Sequence, residues 1–208
     1  GDLAGRACFV TWQMPALLAV IGYILGSIPF GLVLTRLTGA GDLRAIGSGS
    51  IGATNVLRTG RKGLAAATVL LDGGKGALAV WIGGLLMPEH GPALCGAMAF
   101  LGHCYPIWLR FKGGKGVATM LGVSLALSWI VVLVFAIVWL SAVAISRISS
   151  LGGMSAAISA PITAWALGLH DLVPAFAAMA LVVLWRHRPN IARLLRGEEP
   201  RVGSSGKA

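Results

Sequence analysis

Long apolar segments separated by short polar breaks run from residue 15 to residue 187. The breaks predict seven helices, over about 15–37, 64–87, 91–107, 116–128, 130–147, 151–168 and 172–187. The second is expected to break or loosen around Asp72-Gly73-Gly74-Lys75-Gly76. A full membrane span takes about 20 residues. Several of these segments are shorter, so the pattern predicts a thin or tilted bundle, or half-length helices. The expected fold is an all-α integral membrane protein with seven transmembrane helices, organised as one domain over residues 1–208.

Composition supports the membrane reading. The chain is 56% hydrophobic and 12% charged, about half the charged share of roughly 25% in soluble domains. A water-soluble surface cannot be covered with so few charges. The balance is basic, with 17 Lys and Arg against 7 Asp and Glu. Because the cations sit between apolar segments and not on one soluble face, nucleic acid is excluded as a partner. Two uses remain: orienting the chain in the membrane, and binding an anion.

The charge distribution predicts a periplasmic N-terminus and a cytoplasmic C-terminus. Segments 38–62, 103–115, 147–150 and 186–208 then face inward with nearly all the Lys and Arg. The outward breaks 88–90 and 169–171 carry Glu89, His90, His170 and Asp171 and no Lys or Arg. This is the positive-inside asymmetry, and it puts every Gly-rich basic loop on the cytoplasmic side of a bacterial inner membrane. Cys8, Cys95 and Cys104 lack C-x-x-C spacing and read as small buried hydrophobes. Gly1 reads as a processed start, and the tails 1–14 and 200–208 are set aside from function.

Polar residues inside such a chain are costly and tend to be functional. The densest stretch runs Gly102-His103-Cys104-Tyr105-Pro106-Ile107-Trp108-Leu109-Arg110-Phe111-Lys112-Gly113-Gly114-Lys115-Gly116-Val117-Ala118-Thr119. Glycines expose backbone amides and lysines add positive charge, a combination suited to phosphate. Asp72-Gly73-Gly74-Lys75-Gly76 echoes it. Both copies are expected at a helix N-terminus, with Gly113 and Gly114 offering amides; tight helix packing is the alternative. Asp72 and Lys75 share one helical face and can pair.

Three further clusters stand out. Gly47-Ser48-Gly49-Ser50-Ile51-Gly52-Ala53-Thr54-Asn55-Val56-Leu57-Arg58 gathers glycines, hydroxyls, Asn55 and a guanidinium fork, as an oxyanion needs; a flexible loop with an orienting Arg is the bland reading. Trp185-Arg186-His187-Arg188-Pro189-Asn190 reads as a binding segment or a basic lipid anchor. Ser149-Ser150 reads most simply as a helix cap.

Several chemistries lack their motifs. Neither Gly-Lys precedes Ser or Thr, so there is no Walker A. No His is followed at the fifth position by Asp, no Gly-x-Ser-x-Gly elbow occurs, and no metal-ligand spacing appears. The expected metal and cofactor sets are empty. An anion transporter with a cytoplasmic phosphate site is the rival reading, weakened because the polar motifs lie on one side only.

Taken in order, these motifs resemble those of the bacterial acyl-phosphate-dependent glycerol-3-phosphate acyltransferases, the PlsY family, over residues 15–199. The one departure noted is Ser50, where the family usually has Asn. The resemblance implies transfer of a fatty acyl group from acyl phosphate to the 1-hydroxyl of sn-glycerol 3-phosphate, giving lysophosphatidic acid and phosphate. It implies no metal, and neither acyl-CoA nor acyl carrier protein as direct donor. Membrane lipid and the enzyme that forms the acyl phosphate are the further expected partners. The implied catalytic set is Ser48, Arg58, His103 and Lys115. The implied substrate-binding set is Gly47, Gly49, Asn55, Lys75, Lys112, Gly113, Gly114, Ser150, His187 and Asn190. The Ser48 loop and Arg58 would hold the acyl phosphate. Lys115, His187 and Asn190 would hold the glycerol phosphate, with Lys112 and Lys75 nearby. A substrate phosphate oxygen is the expected proton acceptor, with His103 orienting its loop.

Overall fold

The structure, a computed structural model, describes residues 3–46 and 49–203, with side chains from Trp12 onward. The described residues form ten α-helices and three 3₁₀ turns, and contain no strand. The helices are α1 (Leu3–Gly26), α2 (Phe30–Leu37), α3 (Ala53–Leu57), α4 (Lys62–Leu86), α5 (Gly91–Cys104), α6 (Val117–Leu127), α7 (Trp129–Ser146), α8 (Ser149–Ala166), α9 (Val173–Arg186) and α10 (Arg188–Leu195).

Four segments are long and apolar enough to cross a membrane: Trp12–Leu37, Lys62–Leu86, Gly91–Leu109 and Trp129–Ser146. The other three expected passes fall short of that measure. Helices α6 and α9 have 11 and 14 residues, and α8 has 18 but is diluted by Gly, Ser and Thr. Short α3 and α10 occupy segments read from sequence as loops.

The first expected helix is two. Pro29 has no amide proton and disfavours helix at the residue before it, so α1 ends at Gly26 and α2 starts at Phe30. The break leaves the carbonyls of Ser27 and Ile28 without their helical partners. Trp108 Nε1 donates to Ser27 O at 2.8 Å, and Lys75 Nζ donates to Ile28 O at 2.7 Å.

The second expected helix does not break. α4 runs unbroken through Asp72–Gly76, so the amides of the first Gly-Gly-Lys-Gly copy lie inside a helix and present no anion cradle. Its glycines serve packing instead. A Cβ on Gly122 of α6 would lie 1.8 Å from Gly73 O, and one on Gly76 would lie 2.6 Å from Thr119 O. Backbone meets backbone where α4 and α6 cross, the small-residue contact typical of membrane helices.

The largest core cluster joins α5, α6, α7, α8 and α9 through Phe100, Met120, Val123, Phe135, Ala157, Phe176 and Met179. Leu32, Leu43, Ile51 and Val56 make a second cluster beneath the 43–58 segment. Cys95 and Cys104 are buried free thiols, and Cys8 lies outside the described side chains. Helix α7 buries only Val131 and Phe135 and turns Leu133, Ile137 and Leu140 outward, as a lipid-facing helix does.

The α4–α6 crossing yields a prediction. Gly122→Val forces the two backbones apart, at a cost of about 2–3 kcal/mol. Its thermal unfolding midpoint in detergent should fall clearly below that of the wild type. An unchanged midpoint would mean the crossing is looser than described.

Candidate active site

After α5 the chain makes a 3₁₀ turn at Ile107–Leu109 and then doubles back tightly. Arg110 and Phe111 take left-handed φ values of 52° and 61°. The Gly113–Gly114 amides are not free, contrary to expectation: Gly113 N donates to Cys104 O and Gly114 N to His103 O. On the other edge of the loop, Arg186 donates to Gly114 O at 3.0 Å and Gly113 O at 2.7 Å. Its guanidinium also stacks over the Tyr105 ring. Gly114 must be glycine, since a Cβ there would lie 2.0 Å from His103 Nε2. The loop is thus pinned on both edges, and it delivers Lys115 at the start of the short α6.

The two echoed lysines differ sharply. Lys75 is 3% exposed, and its ammonium donates to Asp72 Oδ1 (2.6 Å), Ile28 O (2.7 Å) and His103 Nδ1 (3.0 Å). Three donors meet three acceptors, so Lys75 has no proton left for a ligand. Because an ammonium can only donate, His103 Nδ1 accepts, and the ring is held between Lys75, Asp72 and Gly114. Lys115 Nζ instead donates to a neutral oxygen, Asn190 Oδ1, at 2.5 Å. Burial pushes Lys115 down to about 8; Arg193, Arg58 and Arg186 push the same way and Glu199 pulls back.

α10 begins at Arg188, with Pro189 in its first turn directly after α9, and this sets His187 and Asn190 at the junction. Asn190 Nδ2 donates to Glu199 Oε1 at 2.5 Å. Ser150 Oγ donates to the same oxygen at 2.7 Å, and Arg193 Nε to Glu199 Oε2 at 2.7 Å. Burial alone would raise Glu199, but these three hydrogen bonds hold it below its ordinary value. Ser150 is therefore a partner of Glu199 and not a cap, for Ile148 occupies the N-cap of α8. Its neighbour Ser149 meets Thr54 Oγ1 at 3.2 Å.

His187 Nδ1 lies 2.8 Å from Val183 O. A carbonyl only accepts, so Nδ1 carries the proton and Nε2 is bare. Nε2 faces Gly153 on α8, 3.7 Å from where a Cβ would stand. Burial first, then Lys115, push this imidazole down to about 4. A neutral ring with a bare Nε2 is set to accept from a hydroxyl.

Gly47 and Ser48 lie outside the described residues. Beyond them, Gly49 turns with φ 67° and donates to Ile46 O. Asn55 is 2% exposed and donates to Leu43 O and Ile46 O, so its amide clamps the preceding loop. Its Oδ1 keeps a long 3.5 Å contact with Arg58.

These elements enclose a cavity of about 930 Å³. Its polar lining includes Asn55, Arg58, His103, Lys115, Ser150, His187, Asn190 and Glu199. The rest of its lining is largely apolar and includes Val117, Leu121, Phe135, Trp139 and Leu140. A smaller basin of about 270 Å³ adjoins it, lined in part by Gly49, Lys112 and Gly113, and sharing Lys115 and Asn190. Lys75 and Gly114 line neither. Sequence reasoning missed Glu199 and set aside Pro200–Gly203, which wall the large cavity; Val202 N donates to Arg147 O. The available signal was a carboxylate in a segment otherwise rich in arginine. Among the described residues no cluster of three His, Cys, Asp or Glu side chains suits a metal.

The chain matches the family model described as glycerol-3-phosphate acyltransferase over residues 16–197. It is similar to the glycerol-3-phosphate acyltransferase of Erythrobacter litoralis, with 56% identity over 91% of this chain and 96% of that one. It is also similar to that of Zymomonas mobilis, with 54% identity over 92% and 97%. Among solved structures it resembles PlsY, an integral membrane glycerol 3-phosphate acyltransferase, in its glycerol 3-phosphate form. There the TM-score is 0.86 and the identity 38%, covering 91% of this chain and 96% of that one. The lysophosphatidic acid form gives a TM-score of 0.85 at 37% identity, with the same coverage.

The Lys115 geometry makes a pH prediction. A lysine at about 8 is charged below that pH and loses its proton above it. Sulfate, a dianion throughout, should bind about tenfold more weakly at pH 9 than at pH 7, measured by its protection against thermal unfolding. Lys115→Arg should flatten the profile, since guanidinium stays charged. A flat wild-type profile would remove Lys115 from the anion site.

Proposed function

The chain belongs to the glycerol-3-phosphate acyltransferase family, and from that premise we propose that it takes its acyl group from acyl phosphate. The acceptor is the 1-hydroxyl of sn-glycerol 3-phosphate, and the products are lysophosphatidic acid and inorganic phosphate. One observation carries the reading: a single cavity of about 930 Å³ is lined both by cationic side chains, Arg58 and Lys115, and by a large apolar set from α6 and α7. It suits a reactant with a phosphate head and a hydrocarbon tail, and it leaves room for a second phosphate beside the first. The same premise favours a seven-pass single domain in a bacterial inner membrane with its site on the cytoplasmic side. It also favours supply by an acyl-phosphate-forming enzyme. An anion carrier is disfavoured by the family.

In this reading the Gly47–Gly49 loop, with Ser48, and Arg58 grip the acyl-phosphate head. Lys115 binds the glycerol phosphate through the two ammonium protons that Asn190 does not use. His187 Nε2 accepts from the glycerol hydroxyl and aims its oxygen. Asn55, Ser150 and Glu199 are positioning residues. So are Asp72, Lys75 and His103, which hold the Gly113–Gly114 loop in place.

The glycerol oxygen attacks the acyl carbon, forming the ester C–O bond. The bond from that carbon to the phosphate oxygen breaks, and its electron pair leaves with phosphate. The hydroxyl proton passes to a phosphate oxygen, so the atoms balance without a co-reactant. Acyl phosphate is already activated, and orientation plus stabilisation of the charge that moves onto oxygen supply the acceleration.

Purified protein in lipid, given palmitoyl phosphate and glycerol 3-phosphate, should release inorganic phosphate and form lysophosphatidic acid, and palmitoyl-CoA should not replace the donor. Turnover with the thioester alone would sink the donor assignment. Arg58→Lys should raise the KM for palmitoyl phosphate and lower kcat, together roughly tenfold or more in kcat/KM, because a point charge cannot reproduce the fork. Wild-type kinetics in that variant would take Arg58 out of the site.

A further inference from the structure

The smaller basin shares Lys115, Asn190 and Gly49 with the chemistry just described, but its Lys112 and Arg188 have no part in that chemistry. Its wall carries Lys112, Arg186, Arg188 and Arg193, with Lys115 at the back, and no carboxylate. Arg186 is committed to the Gly113–Gly114 carbonyls and Arg193 to Glu199. Two cations remain at the mouth. Arg188 lies flat on the Trp185 ring, 3.4 Å from its centroid, and bonds Trp185 O through Nε alone. Its terminal nitrogens have no partner among the described residues. Lys112 is exposed, and its ammonium likewise has none there. Ser50, Lys115 and Asn190 line both cavities, so they form the partition between basin and groove.

The reaction mixes two kinds of molecule. Acyl phosphate and lysophosphatidic acid carry a hydrocarbon chain, which the apolar lining of the large cavity suits. Glycerol 3-phosphate and inorganic phosphate carry none and arrive or leave through water. A basin of about 270 Å³ with cations on its wall is too small for a fatty chain and is chemically matched to a small phosphate dianion.

Building on the acyltransferase reading above, we propose that this basin is a water-side port. Soluble phosphate dianions dock there on Lys112 and Arg188 before passing the Lys115–Asn190 partition, and inorganic phosphate leaves by the same route. The lipid reactants use the groove on the other side of the partition. The port works by placing mobile positive charge at the entrance, where it raises the local concentration of a dianion and its rate of entry. Being exposed, these charges are screened by salt, whereas the half-buried Lys115 is screened less.

The test compares Arg188→Glu and Lys112→Glu, which sit on different elements and so do not share a folding defect. Both are assayed as purified protein in vesicles with palmitoyl phosphate and glycerol 3-phosphate. In each, the KM for glycerol 3-phosphate and the inhibition constant of inorganic phosphate should rise about 5- to 10-fold. The KM for palmitoyl phosphate should stay within about twofold. The salt dependence of kcat/KM for glycerol 3-phosphate should flatten. Wild-type values of both phosphate constants in both variants would overturn the port while leaving the acyltransferase reading intact. So would a changed response to the phosphatidylglycerol content of the vesicles with an unchanged KM for glycerol 3-phosphate, since the cations would then serve lipid headgroups. Absence of turnover by the wild-type protein itself would instead sink the acyltransferase reading.

Discussion

The whole arrangement depends on keeping positive charge un-neutralised in a poorly solvated place. A buried ammonium is expensive unless something compensates it. Lys75 takes the usual solution, a carboxylate at 2.6 Å with both partners almost fully buried. Lys115 does not: its contact is the neutral oxygen of Asn190, and the carboxylate of Glu199 is one hydrogen bond further along the chain. That spacing lets Glu199 moderate the field without cancelling it. The result is a lysine held near the edge of losing its proton, at about 8, with an anion as its natural remedy.

Such a charge can be held in place only if the backbone around it is satisfied and stiff. Irregular chain at membrane depth is tolerated where protein or a cavity surrounds it. The 105–116 loop meets that condition by trading amides and carbonyls with His103, Cys104 and Arg186. The Pro29 break contributes from the far side. It frees Ile28 O for Lys75, which together with Asp72 fixes His103, against which Gly114 rests. A proline between α1 and α2 is thus tied, through four contacts, to the placement of the residue beside Lys115.

Much of this was legible in the sequence, unevenly. The helical periods and the charged breaks located most element ends to within a few residues, because hydrophobic runs in such a chain must match helices. The echoed Gly-Gly-Lys-Gly motifs were misread as equivalents. Identical residues acquire different jobs when one copy lies mid-helix, where amides are already bonded and glycines serve packing, and the other follows a tight turn. Which copy is which depends on Gly122 in α6 and on Pro106, contacts with no local signature. Glu199 escaped because it stands outside every motif, next to the tail set aside, and its meaning appears only when the chain folds back to Ser150 and Asn190. The tautomer of His187 depends on Val183 O, a backbone atom that no motif displays.

That tautomer bears on where the hydroxyl proton goes. His103 has its Nδ1 occupied by the Lys75 ammonium and its Nε2 pressed against Gly114, so neither nitrogen is placed to collect a proton from the cavity. His187 does offer a bare Nε2, but at about 4 it is too weak a base to hold a proton near neutrality; it can aim a hydroxyl without removing its proton. Efficient proton transfer wants an acceptor whose affinity for the proton lies near the working pH. A phosphate dianion, whose second ionisation lies at about 6, comes closer than either imidazole, and the reaction brings one to the very carbon under attack. On this argument the surrounding cations have two tasks in tension. They must bind the phosphate tightly enough to place it, yet not so tightly that its oxygen loses the basicity the transfer requires. A neutral amide on Lys115, with Glu199 behind it, is an arrangement that serves both.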